Sequence, residues 1–237
     1  MRFPVLASIF LAAAAAETRP HVVFLIGETE YKSELTMPPL ARELESRHGM
    51  RTTTLFSAGE DNLPGLEALK TADAVVLYLR FRLFSGEQMN RIRAFFDSGK
   101  PVVALRTTTH AFNNWKEFGE TVLGAPWRYH YGHESSTVVG VAEGAAGSPI
   151  LEGIPAEFTC RSWLYHVLPI AADARPLLVG RSVGPSRRAE RVDNPVAWTR
   201  AHNGARVFYT SLGHPEDFQG EVLRRLVLNA VRWVLGK

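Results

Sequence analysis

From His21 onward the chain alternates apolar runs of strand length with segments whose apolar residues recur every three or four positions. A strand that is apolar on both sides must be covered on both faces, and the connecting helices supply that cover. The alternation therefore predicts a sheet wrapped by helices on each side. Residues 21–26, 51–56, 74–79 and 101–105 read as its first four strands. Between them, residues 39–47 and 63–69 read as helices, the first closed by His48-Gly49. A third helix starts at Ser85-Gly86 and carries Met89, Ile92, Phe95 and Phe96 as its apolar stripe. The second half is looser, with Gly/Pro-rich connections and candidate strands at 136–141, 177–179, 195–199 and 206–210. A final helix over 218–234 places Val222, Leu223, Leu226, Val227, Ala230 and Val234 on one face. The fold class expected is α/β: a doubly wound, mostly parallel sheet flanked by helices, of flavodoxin-like type.

At 237 residues, 46% hydrophobic and 22% charged, the chain suits one core, read as a single domain over residues 20–237. The charge is nearly balanced, 27 Lys+Arg against 24 Asp+Glu, and the densest basic run, residues 181–191, lies in a Gly/Pro/Ser-rich loop. This is not the clustered basic face of a nucleic-acid binder. Residues 1–16 read as a signal peptide: Arg2, an apolar stretch, then Ala14-Ala15-Ala16 as the cleavage region. A periplasmic or secreted location follows, with no membrane span in the mature protein. The single cysteine, Cys160, has no partner for an intramolecular disulfide.

In doubly wound folds ligands bind beyond the carboxyl ends of the strands, which directs attention to three loops. The first strand delivers Glu28 and Tyr31, the third Arg80 and Arg82, and the fourth Arg106 to His110. Glu28 is the acidic candidate: a carboxylate there suits a sugar hydroxyl, a metal or a proton in transit, or is simply a solvated loop acid. A second cluster, Trp127-Arg128-Tyr129-His130-Tyr131-Gly132-His133-Glu134, packs imidazoles and aromatics into one segment. His130 and His133 are spaced to meet one divalent ion in a tight turn, with Glu134 or His110 completing the set, or to bond backbone groups only. Trp127 and Tyr129 suit stacking on a carbohydrate face, and Tyr165 reads either as a further substrate-binding pocket residue or as core packing. A third group, Ser211-Leu212-Gly213-His214-Pro215-Glu216-Asp217, joins a strand to the last helix, with Glu216 and Asp217 suited to its positive end.

Two stretches of the chain carry a family resemblance: Arg206-Val207-Phe208-Tyr209-Thr210-Ser211-Leu212-Gly213-His214, and Asn229-Ala230-Val231-Arg232-Trp233. With them the chain resembles the ThuA-like (trehalose utilisation) family. The resemblance implies a fold similar to class I glutamine amidotransferases, in which a nucleophilic Cys sits on a sharp turn after a strand. Here the matching turn, Arg106-Thr107-Thr108-Thr109-His110, holds no Cys or Ser, so glutamine hydrolysis by a Cys-His-Glu triad is not expected. Where many relatives carry an acidic pair before a Leu-Tyr, this chain has Arg161-Ser162-Trp163. The resemblance also implies a role with trehalose-like or oxidised glycosides. The functional expectation is a carbohydrate-acting pocket using Glu28, His110 and His214, with Arg106 as hydroxyl or oxyanion contact. The alternative is a sugar-binding accessory protein without turnover.

Overall fold

The computed structural model describes residues 19–184 and 194–237; the stretch read from sequence as a signal peptide and the core of the basic run, from residue 185, lie outside the described residues. The first half contains β1 (His21–Gly27), α1 (Ser33–His48), β2 (Arg51–Phe56), β3 (Ala74–Leu79), α2 (Gly86–Asp97) and β4 (Val102–Leu105). The second contains β5 (Tyr129–His130), β6 (Ser136–Val141), β7 (Glu157–Cys160), β8 (Tyr165–His166), β9 (Arg175–Val183), β10 (Asn194–His202), β11 (Ala205–Thr210) and α3 (Glu221–Val234). Nine of these strands form one sheet in the order β2-β1-β3-β4-β11-β10-β9-β6-β7. From β2 to β11 neighbours pair in parallel, and from β11 outward they pair antiparallel.

Strand alternation divides the core in two. Val22, Phe24, Ile26, Val76 and Tyr78 face α1 and α3, meeting Met37, Leu40, Leu44, Leu226, Val227 and Val231. Val23, Leu25, Val75, Leu77 and Leu79 face the other way, against Leu66, Leu69, Ile92, Phe95 and Phe96. Each such fully buried aliphatic side chain contributes roughly 1.5–3 kcal/mol by leaving water. The α/β class is thus the consequence of strands that are apolar on both faces. No helix among the described residues is long and apolar enough to cross a membrane.

Several boundaries depart from the sequence reading. Helix α1 starts at Ser33, so Pro38 and Pro39 lie inside it rather than at its start. Burial of Met37 and Leu40 beside them holds a turn whose ladder lacks two N–H donors. The expected helix at 63–69 is a 3-10 turn, Leu66–Thr71. The last helix is preceded by a separate 3-10 turn, Pro215–Phe218. Strand β7 and the two-residue ribbon β5–β8 were not anticipated, and that ribbon shapes the site.

Candidate functional site

The strand order reverses between β1 and β3, because the chain steps outward from β1 to β2 and then returns past β1 to β3. The carboxyl ends of β1 and β3 therefore flank a crevice. Glu28 stands at the first of them, 2% exposed. Its Oε1 accepts from the Glu30 N–H and its Oε2 from the Tyr31 N–H, both at 2.7 Å. Burial raises the carboxyl pKa to about 7, outweighing those two N–H groups and the nearby Arg80, which favour the anion. A carboxyl poised there exchanges protons near neutrality. Beyond it, Arg80 at the end of β3 pairs with Glu30 at 2.9 Å and lies over the Phe81 ring.

The turn after β4 is a 3-10 turn, Arg106–His110, and its first residue sits at the sharp elbow with φ 43°. Arg106, fully buried, occupies the place where the resemblance would put a nucleophile. Its Nη1 donates to the Ser211 carbonyl at 2.8 Å and its Nη2 to the Tyr31 hydroxyl at 3.1 Å. The guanidinium is enclosed by the rings of Tyr31, Tyr165 and Trp163, at 4.2, 4.6 and 5.4 Å. Burial opposes its charge, but the phenols of Tyr165, Tyr31 and Tyr78 more than offset that, so it remains a cation. Among the described residues no carboxylate forms an ion pair with it, and its Nε has no hydrogen-bond partner. Gly213 makes the close approach feasible, since a Cβ there would lie 2.7 Å from the Tyr78 hydroxyl and 3.0 Å from the Arg106 Cβ.

Four non-glycine residues among those described have left-handed backbone, and three of them, Lys32, Phe81 and Arg106, lie in the loops that follow β1, β3 and β4. Such positions cost roughly 1–3 kcal/mol each and persist where the surroundings over-determine them. Phe81 is held by donating its N–H to the His110 carbonyl at 3.0 Å, and its ring lies 5.0 Å from the His110 ring. His110 in turn packs on Trp127 at 4.7 Å and reaches Tyr165 at 6.3 Å. Burial, with Arg80 and Arg106 adding to it, lowers the His110 pKa to about 3. It is therefore a neutral hydrogen-bonding group at physiological pH.

The ribbon β5–β8 pairs Tyr129 with His166 and His130 with Tyr165, and so carries the aromatic-rich segment over the elbow. Successive side chains of a strand point to opposite sides, which separates the segment into two sets. His130 and His133 meet edge to face at 4.5 Å and both lie on Trp163. Tyr129 faces away, stacked on His166 at 4.7 Å beside Tyr131. Among the described residues no three His, Cys, Asp or Glu side chains converge as a metal site, so neither Glu134 nor His110 completes a set with the two histidines.

His214 lies at the rim, its ring 6.3 Å from Tyr31 and 6.0 Å from Trp163. Burial lowers its pKa, against the pull of Asp217 and Glu216. Its Nδ1 accepts from the Glu216 N–H at 3.3 Å, which caps the short 3-10 turn and gives the imidazole a structural reason. Asp217 does not serve the helix as expected. It accepts from the Arg161 and Ser162 N–H groups and from the Ser162 hydroxyl, at 2.6, 2.9 and 2.6 Å. Ser162 Oγ accepts in turn from the N–H groups of Gly213 and His214, at 2.8 and 2.9 Å. The β7–β8 connection is thereby tied to the turn after β11. Pairwise contacts link Tyr31, Arg106, Tyr165, His110, Trp127 and His214 into one cluster at the strand mouths, which Glu28 joins through the Tyr31 N–H. Ser162, Trp163 and Asp217 join it as well, though the sequence pointed to Asp217 only as a helix-end residue and to Ser162 and Trp163 only as a departure from the relatives' pattern.

A doubly wound sheet whose polar loops gather at the switch point, with a buried cation at its elbow, defines an α/β protein with a candidate site at the strand mouths and no Cys or Ser on that turn. The sequence matches the ThuA family, described as trehalose utilisation, over residues 22–234, and the chain belongs to that family. Among solved structures it is similar to a putative ThuA-like protein from Bacteroides uniformis, with TM-score 0.69 and 16% identity, covering 98% of this chain and 95% of that one. A putative ThuA-like protein from Parabacteroides merdae gives TM-score 0.71 and 17% identity, covering 92% and 91%. The cold-adapted β-galactosidase of Rahnella sp. R3 shares the fold over 31% of its own chain and 91% of this one, with TM-score 0.57 and 15% identity. Comparison with curated proteins finds no match.

Proposed function

We propose that this ThuA-family protein is a pocket enzyme performing general acid–base chemistry on a trehalose-like or oxidised glycoside. The observation that carries the reading is Glu28: a carboxyl 2% exposed at the switch point, cradled by two backbone N–H groups, with its pKa raised by burial to about 7. That residue takes or gives the proton, while Arg106 and its aromatic walls stabilise negative charge developing on a sugar oxygen. His214, Trp127 and Tyr165 belong to the same cluster and orient the ring. Residues 1–16 direct export, which N-terminal sequencing of the mature protein checks.

The test is turnover of a panel of α- and β-glucosides and their oxidised forms, followed by NMR of the products. Glu28→Gln is expected to lower kcat by about 10²–10⁴-fold, the usual share of a positioned proton carrier. It should also erase the limb of the pH–rate profile near 7. Glu28→Gln turning over at the wild-type rate sinks the assignment of the proton carrier. Ligand-induced thermal stabilisation of the wild type with no product across the panel would instead make the protein a sugar-binding accessory.

A further inference from the structure

Beside Glu28, a cavity of about 410 Å³ opens between the carboxyl ends of β1 and β2, bordered by Glu28, Glu34, Phe56, Ser57, Glu60 and Arg82 and by neither Arg106 nor its aromatic walls. Its size falls within the roughly 300–1,000 Å³ of small-molecule sites. The lining has a definite chemistry. Phe56 lines the space and is 44% exposed, so its ring is open to a ligand. Three carboxyl groups border the space against one guanidinium, and that guanidinium is already engaged: Arg82 Nε donates to the Arg80 carbonyl at 2.7 Å and Nη1 to the Gly59 carbonyl at 2.8 Å. Ser57 Oγ is buried without a hydrogen-bond partner among the described residues. The space is kept open by Gly27, where a Cβ would lie 2.3 Å from Ser57 Oγ and 3.2 Å from Arg82 Cδ.

Acceptor-rich walls reject an anion and favour a donor of many O–H groups, and an exposed aromatic ring suits the apolar face of a pyranose ring. We infer that this cavity is a second sugar-ring subsite, so that the ligand is a glycoside of two rings, one here and one over the Arg106 cluster, with Glu28 between them. The inference rests on the sugar reading of the site above, and extends it from a single pocket to two subsites sharing one carboxyl.

The test combines titration and crystal soaking with trehalose and with glucose. Two variants alter the cavity without touching the Arg106 cluster: Phe56→Ala removes the ring platform, and Thr29→Trp, at an exposed lining position, fills the opening. Each is expected to weaken trehalose binding at least tenfold while glucose binding at the cluster changes less than twofold; circular dichroism confirms that both variants fold. Trehalose spanning the two positions in a soaked crystal is the expected result. Trehalose seated wholly over the cluster, with both variants binding as the wild type, overturns the two-ring inference and leaves the sugar reading intact. No saccharide bound at either position, with no thermal shift, overturns both.

Discussion

Arg106 carries more of the site than any other single side chain. Its planar guanidinium donates to a carbonyl and a phenol at once and stacks between three rings, which an ammonium on a flexible stem cannot reproduce. Arg106→Lys keeps the charge and should still destabilise the protein by about 2–3 kcal/mol, the worth of hydrogen bonds to a buried charge. Urea unfolding at pH 7 measures it, and an unchanged midpoint would show the guanidinium geometry to be dispensable. Position mattered more than residue type in finding such groups. Glu28, Tyr31 and Arg106 follow apolar runs whose ends can be read directly, so their place at the strand mouths was legible. Trp163 was not, because its place on Arg106 is set by the pairing of His130 with Tyr165, and no local pattern encodes a partner 35 residues away.

At the scale of elements, the tether between the β7–β8 connection and the turn after β11 decides whether the cluster keeps its shape. Ser162→Ala leaves Asp217 its two backbone N–H donors but takes away its hydroxyl donor and strands the N–H groups of Gly213 and His214. Leaving such buried groups unsatisfied costs about 1–3 kcal/mol each. The variant should lose at least about 2 kcal/mol, and should bind sugar more weakly than a surface control of equal stability. A thermal midpoint like that of the wild type would refute the tether. Strands β1 to β4 were read from sequence to within a residue, since continuous β-branched and apolar runs have no competing interpretation. The start of α1 was misplaced because Pro38-Pro39 mimics a helix N-terminus. Strands β5 and β8 have two residues each, too few to show any period, and Asp217 reaches back across 55 and 56 residues.

At the scale of the molecule, two titrating groups pull stability in opposite directions. The folded pKa of Glu28, about 7, lies above its ordinary 4.5, so its contribution is full below that value and is lost as pH rises to 7. The loss is on the order of 3 kcal/mol, at 1.36 kcal/mol per pKa unit. The folded pKa of His110, about 3, lies below its ordinary 6.5, so its contribution is full above 6.5 and is lost as pH falls toward 3. That loss is smaller than the shift alone implies, because the ring keeps some solvent contact. Unfolding midpoints from pH 4 to 8 should show Glu28→Gln flattening the alkaline slope and His110→Gln the acid slope; identical profiles for all three proteins would remove both groups from the account. The sheet order has its own consequence for assembly. Strand β11 is the last strand in the chain yet fifth of nine in the sheet, seated between β4 and β10. Until it arrives, both neighbours expose unpaired edges, and the parallel and antiparallel halves have no ladder in common. The keystone is laid last, so a nascent chain stopped short of residue 205 would hold two half-sheets and no complete cluster at the strand mouths.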